Sequence, residues 1–439
     1  LKSIKIKIYY NYFLFNYNIH MSFFTSGVHT RYIQPTTNTN RFRTEFRLNQ
    51  GDDVIYFTDL RLCNLGFSSA SGNQKINELN GLYSCIKNLT LMDGNITLSQ
   101  VLNLDKYSGF KCYNKTNDEN LSKNQELKKN NMGFVTVGEN PTDGSNSRPQ
   151  IGTLHSEIST TTDVSTTPQS WFSLKEYLPM LDESRYLPLS VYKDLRVVIE
   201  YSSSLDDMLP NGSSQISTVE PFLVVSELTN EEAKNQIRKQ YNGVVFQELE
   251  HSRVRLDELN PTAGDPNPKQ DVTFTINSFN NKTLNRLLMI KTPTQTSSTA
   301  YGKLGSVGQY KEQTQVFVNG ASLLPDSGLT THNQAQAMLY DLWGDANNIV
   351  GADWLPDTSN AVDDADDRLG QLDYRSVMVE NFVNDFQIQF QRNGQYKQGV
   401  ADENQKNQKY NQALNIQLFG EVNKAVAVNP DGSYQVRYL

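Results

Sequence analysis

The densest group of side chains able to bind a metal is the acidic run Asp363, Asp364, Asp366 and Asp367. Carboxylates at this spacing could chelate Ca²⁺, which takes several oxygen ligands. The run lacks the glycine and the terminal glutamate that an EF-hand loop places at fixed positions. We therefore interpret it as a solvated acidic loop and predict no metal site.

The sequence also contains no clear residue pattern for a hydrolytic enzyme. A glycosidase needs two carboxylates across a cleft, and nothing among the 48 acidic residues singles out a pair. There is no G-x-S-x-G nucleophile elbow, and Cys63, Cys85 and Cys112 have no histidine nearby in sequence. His251 follows a strand-like segment and is interpreted as structural. We predict no catalytic residue and, without a G-K-[ST] phosphate loop, no cofactor-binding residue.

Net charge and hydropathy argue against a nucleic-acid-binding protein and against a membrane-spanning helix. Forty basic and 48 acidic residues give a net charge of −8, which offers no electrostatic footprint for nucleic acid. No run of 18 apolar residues could cross a membrane as a helix. Lysines and asparagine-broken aromatic residues in 1–21 do not match a signal peptide. We expect 1–21 to be a disordered or non-native extension ending at the first methionine, Met21.

The elements that would position any site are strands. Apolar and polar residues alternate in 195–201, 272–276, 386–390 and 414–418, which is typical of antiparallel sheets with one buried face. The clearest helical segment is 229–240, where a capping box from Thr229 to Glu232 is predicted. Four pairs are suited to type I′ turns: Asp93-Gly94, Asn319-Gly320, Asn393-Gly394 and Asp431-Gly432.

Strand-rich segments alternate with long polar stretches. The predicted loops are 102–150, 153–170, 293–313 and 324–372. This pattern predicts an all-β fold of two tandem eight-stranded jelly-roll β-sandwiches, with long loop insertions and a few short helices. The Pro-, Gly- and Ser-containing stretch 208–221 is the expected join. The first jelly roll would then span 22–215 and the second 216–439.

The segment 173–204 resembles a signature of the double jelly-roll major capsid proteins of icosahedral double-stranded DNA viruses. That lineage includes virophages, Polinton-like viruses and nucleocytoplasmic large DNA viruses. A Leu-Pro-Leu turn precedes a strand ending in Ile-Glu, and the segment 222–256 resembles the opening of the second jelly roll. The residues that carry the resemblance are Leu187, Pro188, Leu189, Leu195, Val197, Ile199, Glu200, Glu232, Asn319 and Gly320.

The resemblance implies a structural virion protein, not an enzyme. Three chains would form a homotrimer whose six jelly rolls make a pseudo-hexagonal capsomer, and capsomers would tile an icosahedral shell. The implied partners are neighbouring capsomers, penton proteins and minor capsid proteins. The excess of acidic residues fits a shell that does not contact nucleic acid directly, and it is compatible with an internal membrane in the virion. The protein would be located in the virion and assembled inside the host cell, with the long loops as outer towers.

Other functions stay open at this point. A double jelly-roll enzyme acting on glycans would need a cleft with converging acids. A carbohydrate-binding or adhesion sandwich would need export from the cell. Within the capsid class, a minor capsid protein is a further alternative.

Overall fold

The computed structural model describes residues 27–39, 42–48, 51, 53–63, 67–69, 86–104, 106–107, 134–137, 150–153, 171–201, 214–216, 221–293, 313–324, 374–407 and 411–439. The acidic run 363–367, Cys85 and Cys112 lie outside these residues, as do most of the predicted loops.

The strands of the first half are β1 (Val28–Ile33), β2 (Thr37–Thr39), β3 (Arg43–Arg47), β4 (Ile55–Phe57), β5 (Arg61–Cys63), β6 (Phe67–Ser69), β7 (Ile86–Asp93), β8 (Ile96–Leu102), β9 (Phe134–Val137), β10 (Gln150–Thr153), β11 (Trp171–Ser173), β12 (Tyr186–Pro188), β13 (Leu195–Tyr201), β14 (Ser214–Ile216) and β15 (Phe222–Leu228). Those of the second half are β16 (Gly243–Leu256), β17 (Lys269–Thr275), β18 (Lys282–Pro293), β19 (Gln313–Val318), β20 (Ala321–Ser322), β21 (Tyr374–Val383), β22 (Phe386–Asn393), β23 (Leu414–Val428) and β24 (Tyr434–Tyr438). Among the described residues, two α-helices are described over their whole length, α1 (Pro179–Glu183) and α2 (Glu231–Gln240); Leu104, Lys106 and Tyr107 are also helical, and 3-10 helices span Leu174–Glu176, Asn277–Phe279 and Asp402–Asn407.

The second half is a jelly roll. One sheet has the order β16-β23-β18-β21, with β24 added beside β23, and the facing sheet has the order β17-β22-β19-β20. Phe386, Ile388 and Phe390 are buried between the sheets while the glutamines that alternate with them point outward. The predicted strand alternation is confirmed here, because a half-buried strand hides every second side chain.

The first half is a second sandwich with more strands than the expected eight. One sheet has the order β2-β3-β13-β7-β8, and the other has the order β11-β5-β15-β4-β12 with β1 beside β15. Short pairs β6–β14 and β9–β10 lie outside both sheets. Leu195, Val197 and Ile199 of β13 are all buried in the core, as predicted. The all-β jelly-roll class is therefore confirmed.

Strand β15 belongs to the first sandwich by hydrogen bonding. It pairs from Leu223 to Leu228 with β1 and, on its other side, with β4 and β5. The join expected at 208–221 therefore precedes a strand of the first sandwich. Helix α2 and residues up to Asn242 lead from β15 to β16.

Helix α2 starts one residue later than the predicted capping box requires. Asn230, not Thr229, is the N-cap, and its side chain accepts the backbone N–H of Ala233 at 3.1 Å. The capping-box prediction is wrong because two N-cap residue types stand side by side, and asparagine is at least as good a cap as threonine.

Of the four pairs predicted to form type I′ turns, only Asn319-Gly320 has positive φ at both residues, at 52° and 80°. It closes β19 onto β20. Asp431-Gly432 lies in the connection between β23 and β24, where only the glycine has positive φ. Asn393-Gly394 closes no hairpin, because β22 ends there and the chain continues to β23.

The connections of the second sandwich differ in length at its two ends. Leu256, Pro293 and Leu414 lie side by side at one end. The chain leaves and re-enters the sheets at this end through 257–268, 294–312, 323–373 and 394–413. At the opposite end the connections are 276–281, 319–320, 384–385 and 429–433. Long connections are thus confined to one end.

Candidate functional site

The Leu-Pro-Leu segment carries the chain from one sheet of the first sandwich to the other. Leu187 and Pro188 pair with Tyr56 and Ile55 of β4. The carbonyl of Pro188 accepts the N–H groups of Val191 at 3.1 Å and Tyr192 at 3.3 Å. Proline is tolerated because β12 is, among the described residues, the outermost strand of its sheet, where a missing donor breaks no ladder. The closed turn fixes the position of Tyr192.

Tyr192 is the centre of a cluster of three tyrosines. Its hydroxyl lies 2.6 Å from that of Tyr241, the residue that ends α2. Its ring centroid lies 5.4 Å from that of Tyr434, the first residue of β24. Burial raises the pKa of Tyr192 well above its ordinary value. The hydroxyl therefore stays neutral and serves as a hydrogen-bonding group between the two sandwiches.

Asp93, the last residue of β7, extends this cluster. Its carboxylate accepts the hydroxyl of Tyr434 at 2.8 Å and the backbone N–H groups of Lys193 at 3.3 Å and Asp194 at 2.5 Å. One carboxylate thus ties the turn before β13 to β24 of the second sandwich. Hydrogen bonds to a charged acceptor are stronger than those between neutral groups.

A buried ion pair forms the second contact region. Lys424 Nζ lies 3.1 Å from Glu248 Oε2, and both side chains are almost inaccessible to solvent. The other carboxylate oxygen accepts the N–H of Gln100 at 3.0 Å and the hydroxyl of Ser99 at 3.3 Å. Burial raises the pKa of Glu248 to about 6, against the opposing effect of Lys424.

The position of Glu248 explains this arrangement. Strand β8 is the outermost strand of its sheet among the described residues, so one side of its backbone has no strand partner. An uncovered strand edge leaves N–H groups unsatisfied. Glu248 of β16 supplies the acceptor for Gln100, so the second sandwich caps the edge of the first.

Side chains of both sandwiches complete the contact. Asn103 Nδ2 lies 3.2 Å from His251 Nδ1, and His251 Nε2 lies 2.8 Å from Gln417 Oε1. The His251 ring packs on Phe419 with centroids 5.0 Å apart. Around them, Phe246, Leu249, Leu288, Ile290, Phe419 and Val426 of the second half join the hydrophobic core of the first. His251 is thus placed as a contact residue.

We call this region the junction: Asp93, Ser99, Gln100, Asn103 and Tyr192 of the first sandwich, Tyr241 at the end of α2, and Glu248, His251, Lys424 and Tyr434 of the second sandwich. Its physical effect is to hold two sandwiches in one orientation. Within the described ranges, no group of three or more His, Cys, Asp or Glu side chains is placed to hold a metal ion. In the same part of the chain, no helix is long and apolar enough to cross a membrane.

The residues that carry the sequence resemblance do not form one site. Those from Leu187 to Glu200 lie within the first sandwich, next to the junction. Glu232 lies exposed in the first turn of α2. Asn319 and Gly320 lie at the far end of the second sandwich.

Asn319 has a defined structural role there. Its Oδ1 accepts the N–H groups of Asn384 at 2.7 Å and Asp385 at 3.2 Å, and its Nδ2 donates to the carbonyl of Phe382 at 2.8 Å. One side chain therefore joins the β19–β20 turn to the β21–β22 turn.

Sequence reasoning did not identify the junction. Gln100 and Glu248 are 148 positions apart, and Glu248 and Lys424 are 176 apart. A lysine and a glutamate on strands ordinarily indicate solvated faces. The nearest signal was the resemblance of 173–204, which contains Tyr192 without singling it out.

No protein-family model and no curated protein sequence matches the chain. Solved structures do match it. A chain of the Sputnik virophage aligns with a TM-score of 0.58 at 11 % identity, covering 94 % of this chain and 89 % of that one. The Faustovirus major capsid protein aligns with a TM-score of 0.55 at 9 % identity, covering 92 % and 90 %. The mavirus major capsid protein aligns with a TM-score of 0.52 at 9 % identity, covering 95 % and 91 %.

The chain has the capsid-protein fold. At these identities the likeness is one of architecture. It extends over both sandwiches, because each alignment covers more than nine-tenths of the chain. The capsid-protein fold predicted from 173–204 is therefore confirmed.

Proposed function

We propose that the chain is a major capsid protein of a double-stranded DNA virus or virophage, located in the virion. Its role is mechanical rather than enzymatic. Three chains form a homotrimer, and the six jelly rolls of that trimer make a pseudo-hexagonal unit that tiles an icosahedral shell with neighbouring units. Penton proteins and minor capsid proteins are the further partners.

The junction is the observation that carries this proposal. A six-fold-like unit built from three chains needs the two jelly rolls of each chain at a fixed angle, since a flexible pair would not close a ring. A buried ion pair, a cluster of tyrosines and a shared apolar core supply that rigidity. Interfaces of this kind between domains restrict relative motion.

The arrangement of connections supports an orientation in the shell. We propose that the end of the second sandwich bearing 257–268, 294–312, 323–373 and 394–413 faces outward. Loops at one end of a rigid sandwich vary without disturbing its core. The opposite end, with its short turns, would face the interior, where a net charge of −8 does not favour direct contact with nucleic acid.

We also propose a revised division of the chain. The sequence places the two jelly rolls at 22–215 and 216–439, after the extension 1–21. The pairing of β15 with β1, β4 and β5 favours a join at 229–242, with α2 as the connection.

The test is the mass and shape of the purified chain. Light scattering after size exclusion should give three times the chain mass of 49.8 kDa, and negative-stain images should contain particles of pseudo-hexagonal outline. A strict monomer at high concentration would contradict the proposal.

A further inference from the structure

Strand β24 is an addition to the sheets of the second sandwich and not part of their framework. Among the described strands it pairs with β23 alone, opposite Lys424–Val428. Strand β18 pairs with β23 only as far as Val422, so β24 lies alongside the part of β23 that extends past β18. Among the described residues, no side chain of β24 belongs to the buried core between the two sheets. Release of β24 would therefore leave both sheets of that sandwich paired.

One end of β24 reaches the first sandwich. The Tyr434 hydroxyl donates to Asp93 Oδ2 at 2.8 Å, and its ring centroid lies 5.4 Å from that of Tyr192. Tyr434 and Val436 pack against the hydrophobic core that the two sandwiches share. Burial and the bond to the carboxylate raise the pKa of Tyr434, so its hydroxyl keeps the proton and acts as the donor. Strand β24 therefore contacts both sandwiches.

The other end of β24 lies next to the buried ion pair. The centroid of the Tyr438 ring lies 5.5 Å from Lys424 Nζ and 4.2 Å from Lys282 Nζ. The Tyr438 hydroxyl donates to Glu250 Oε1 at 2.5 Å, and Lys282 Nζ lies 2.9 Å from the same oxygen. Charges that are removed from water attract each other more strongly than charges in water. A strand that keeps water from Lys424 therefore maintains its pairing with Glu248.

Strand β24 is held more loosely than the strands of the two cores. It has five residues, three of which are exposed. Its ladder to β23 is extended only by Leu439, which donates to the carbonyl of Asn423 and accepts the N–H of Thr283, both at 2.9 Å. Segments with few buried contacts and exposed backbone hydrogen bonds open at a lower free energy than the core. Strand β24 is thus placed to open while both cores stay folded.

We propose that β24 is a strap that closes the junction over the Glu248–Lys424 pair, and that its release lets the two sandwiches move relative to each other while each stays folded. With the strap closed, the Tyr434 hydroxyl holds Asp93 and the turn before β13. With the strap open, water reaches the ion pair and the bond from Gln100 to Glu248 breaks more often. This motion occurs within one chain and does not depend on how chains assemble.

Amide hydrogen exchange of full-length variants tests the strap. Tyr434→Phe removes the hydroxyl that binds Asp93, and the N–H of Gln100 should then exchange at least about tenfold faster than in the wild type. The N–H groups of Val197 and Ile388 lie on strands inside the first and second sandwich, and their rates should stay within about twofold of the wild type. That pattern means that the junction opens while both sandwiches stay folded.

Two further variants separate the contact with the first sandwich from other effects on β24. Arg437→Ala is the matched control, because Arg437 is exposed and lies on the opposite face of β24 from Tyr434; the exchange rate of Gln100 should not change. Asp93→Asn weakens the acceptor of the Tyr434 hydroxyl. Adding Tyr434→Phe to it should accelerate exchange less than in the wild-type background, because the shared bond is lost only once.

Two results would overturn the strap. If Gln100 exchanges at the wild-type rate in both Tyr434→Phe and Tyr434→Ala, β24 does not control the junction. If Gln100, Val197 and Ile388 accelerate equally, β24 contributes to global stability and does not act as a strap. Circular dichroism verifies that each variant is folded. If the Tyr434 variants fail to fold, Tyr438→Phe loosens the other end of β24 and should give the same pattern of exchange.

Discussion

Glu248 accepts the backbone N–H of Gln100 at 3.0 Å, so a carboxylate of the second sandwich caps an unpaired strand edge of the first. Its other oxygen lies 3.1 Å from Lys424 Nζ. Both charges are removed from water, and the attraction between buried charges roughly offsets the cost of their desolvation. The pair therefore fixes the relative position of the sandwiches more than it adds net stability.

Removing one partner of the pair should be costly. Lys424→Met leaves the Glu248 carboxylate buried beside an apolar side chain, and we expect the free energy of unfolding to fall by about 3–5 kcal/mol. The double variant Glu248→Gln with Lys424→Met removes both charges and should recover a large part of that loss. Urea unfolding of the three proteins measures the difference. Equal losses of unfolding free energy in the single and double variants would show that the unpaired charge of Glu248 does not cause the loss.

The same carboxylate predicts a pH dependence. The pKa of Glu248 is raised from 4.5 to about 6 in the folded chain by burial. A raised carboxylate pKa means that the folded state binds the proton more tightly. The contribution of this group to stability is therefore complete below pH about 4.5 and is lost as the pH rises through 6.

The measurement is a comparison with Glu248→Gln, which cannot titrate. The free energy of unfolding of the wild type minus that of the variant should be larger at pH 4.5 than at pH 7 by about 2 kcal/mol. Subtraction removes the titration of all other groups. Parallel pH profiles would mean that Glu248 titrates as an ordinary surface carboxylate.

The tyrosine pair should behave as one unit. Tyr192→Phe leaves the Tyr241 hydroxyl without this partner at a distance of 2.6 Å, and Tyr241→Phe does the converse. Each should lower the free energy of unfolding by about 1–3 kcal/mol. The double variant should cost less than the sum of the two, because the shared bond is lost only once. Additive losses in the double-mutant cycle would rule out coupling between the hydroxyls.

Substitutions at Asn319 distinguish the contribution of its side-chain hydrogen bonds to stability from the contribution of the turn conformation. Asn319→Gly tolerates the φ of 52° but loses the bonds to Asn384, Asp385 and Phe382. We expect a loss of about 1–3 kcal/mol in thermal or urea unfolding. Asn319→Asp retains the acceptor for both N–H groups and should cost less. A harmless glycine variant would mean that the turn alone holds β21 and β22 together.

The amino-acid sequence alone is sufficient to predict a strand and its core face where one face is buried and the other is exposed to solvent. Phe386, Ile388 and Phe390 alternate with glutamines, and period 2 identifies both the strand and its core face. The same reasoning fails for Gln417. It occupies the face of β23 predicted to be wet, yet it is 6 % exposed because the first sandwich covers that face. Burial between sandwiches depends on contacts distant in sequence, and local periodicity does not report them.

The junction and the placement of β15 were beyond prediction for the same reason. Nothing near Phe222–Leu228 in sequence indicates whether the strand pairs backward with β1 or forward with β16. Loop composition suggested a join before it, whereas strand pairing places it in the first sandwich. Sequence reasoning did find the turn that holds Tyr192, through the Leu-Pro-Leu resemblance.

The confinement of long connections to one end of the second sandwich has an evolutionary consequence. Strand register is fixed by pairing and by the four short connections at the opposite end, so insertions in 257–268, 294–312, 323–373 or 394–413 can leave the pairing of the strands in place. Substitutions and length changes should accumulate there fastest among related chains.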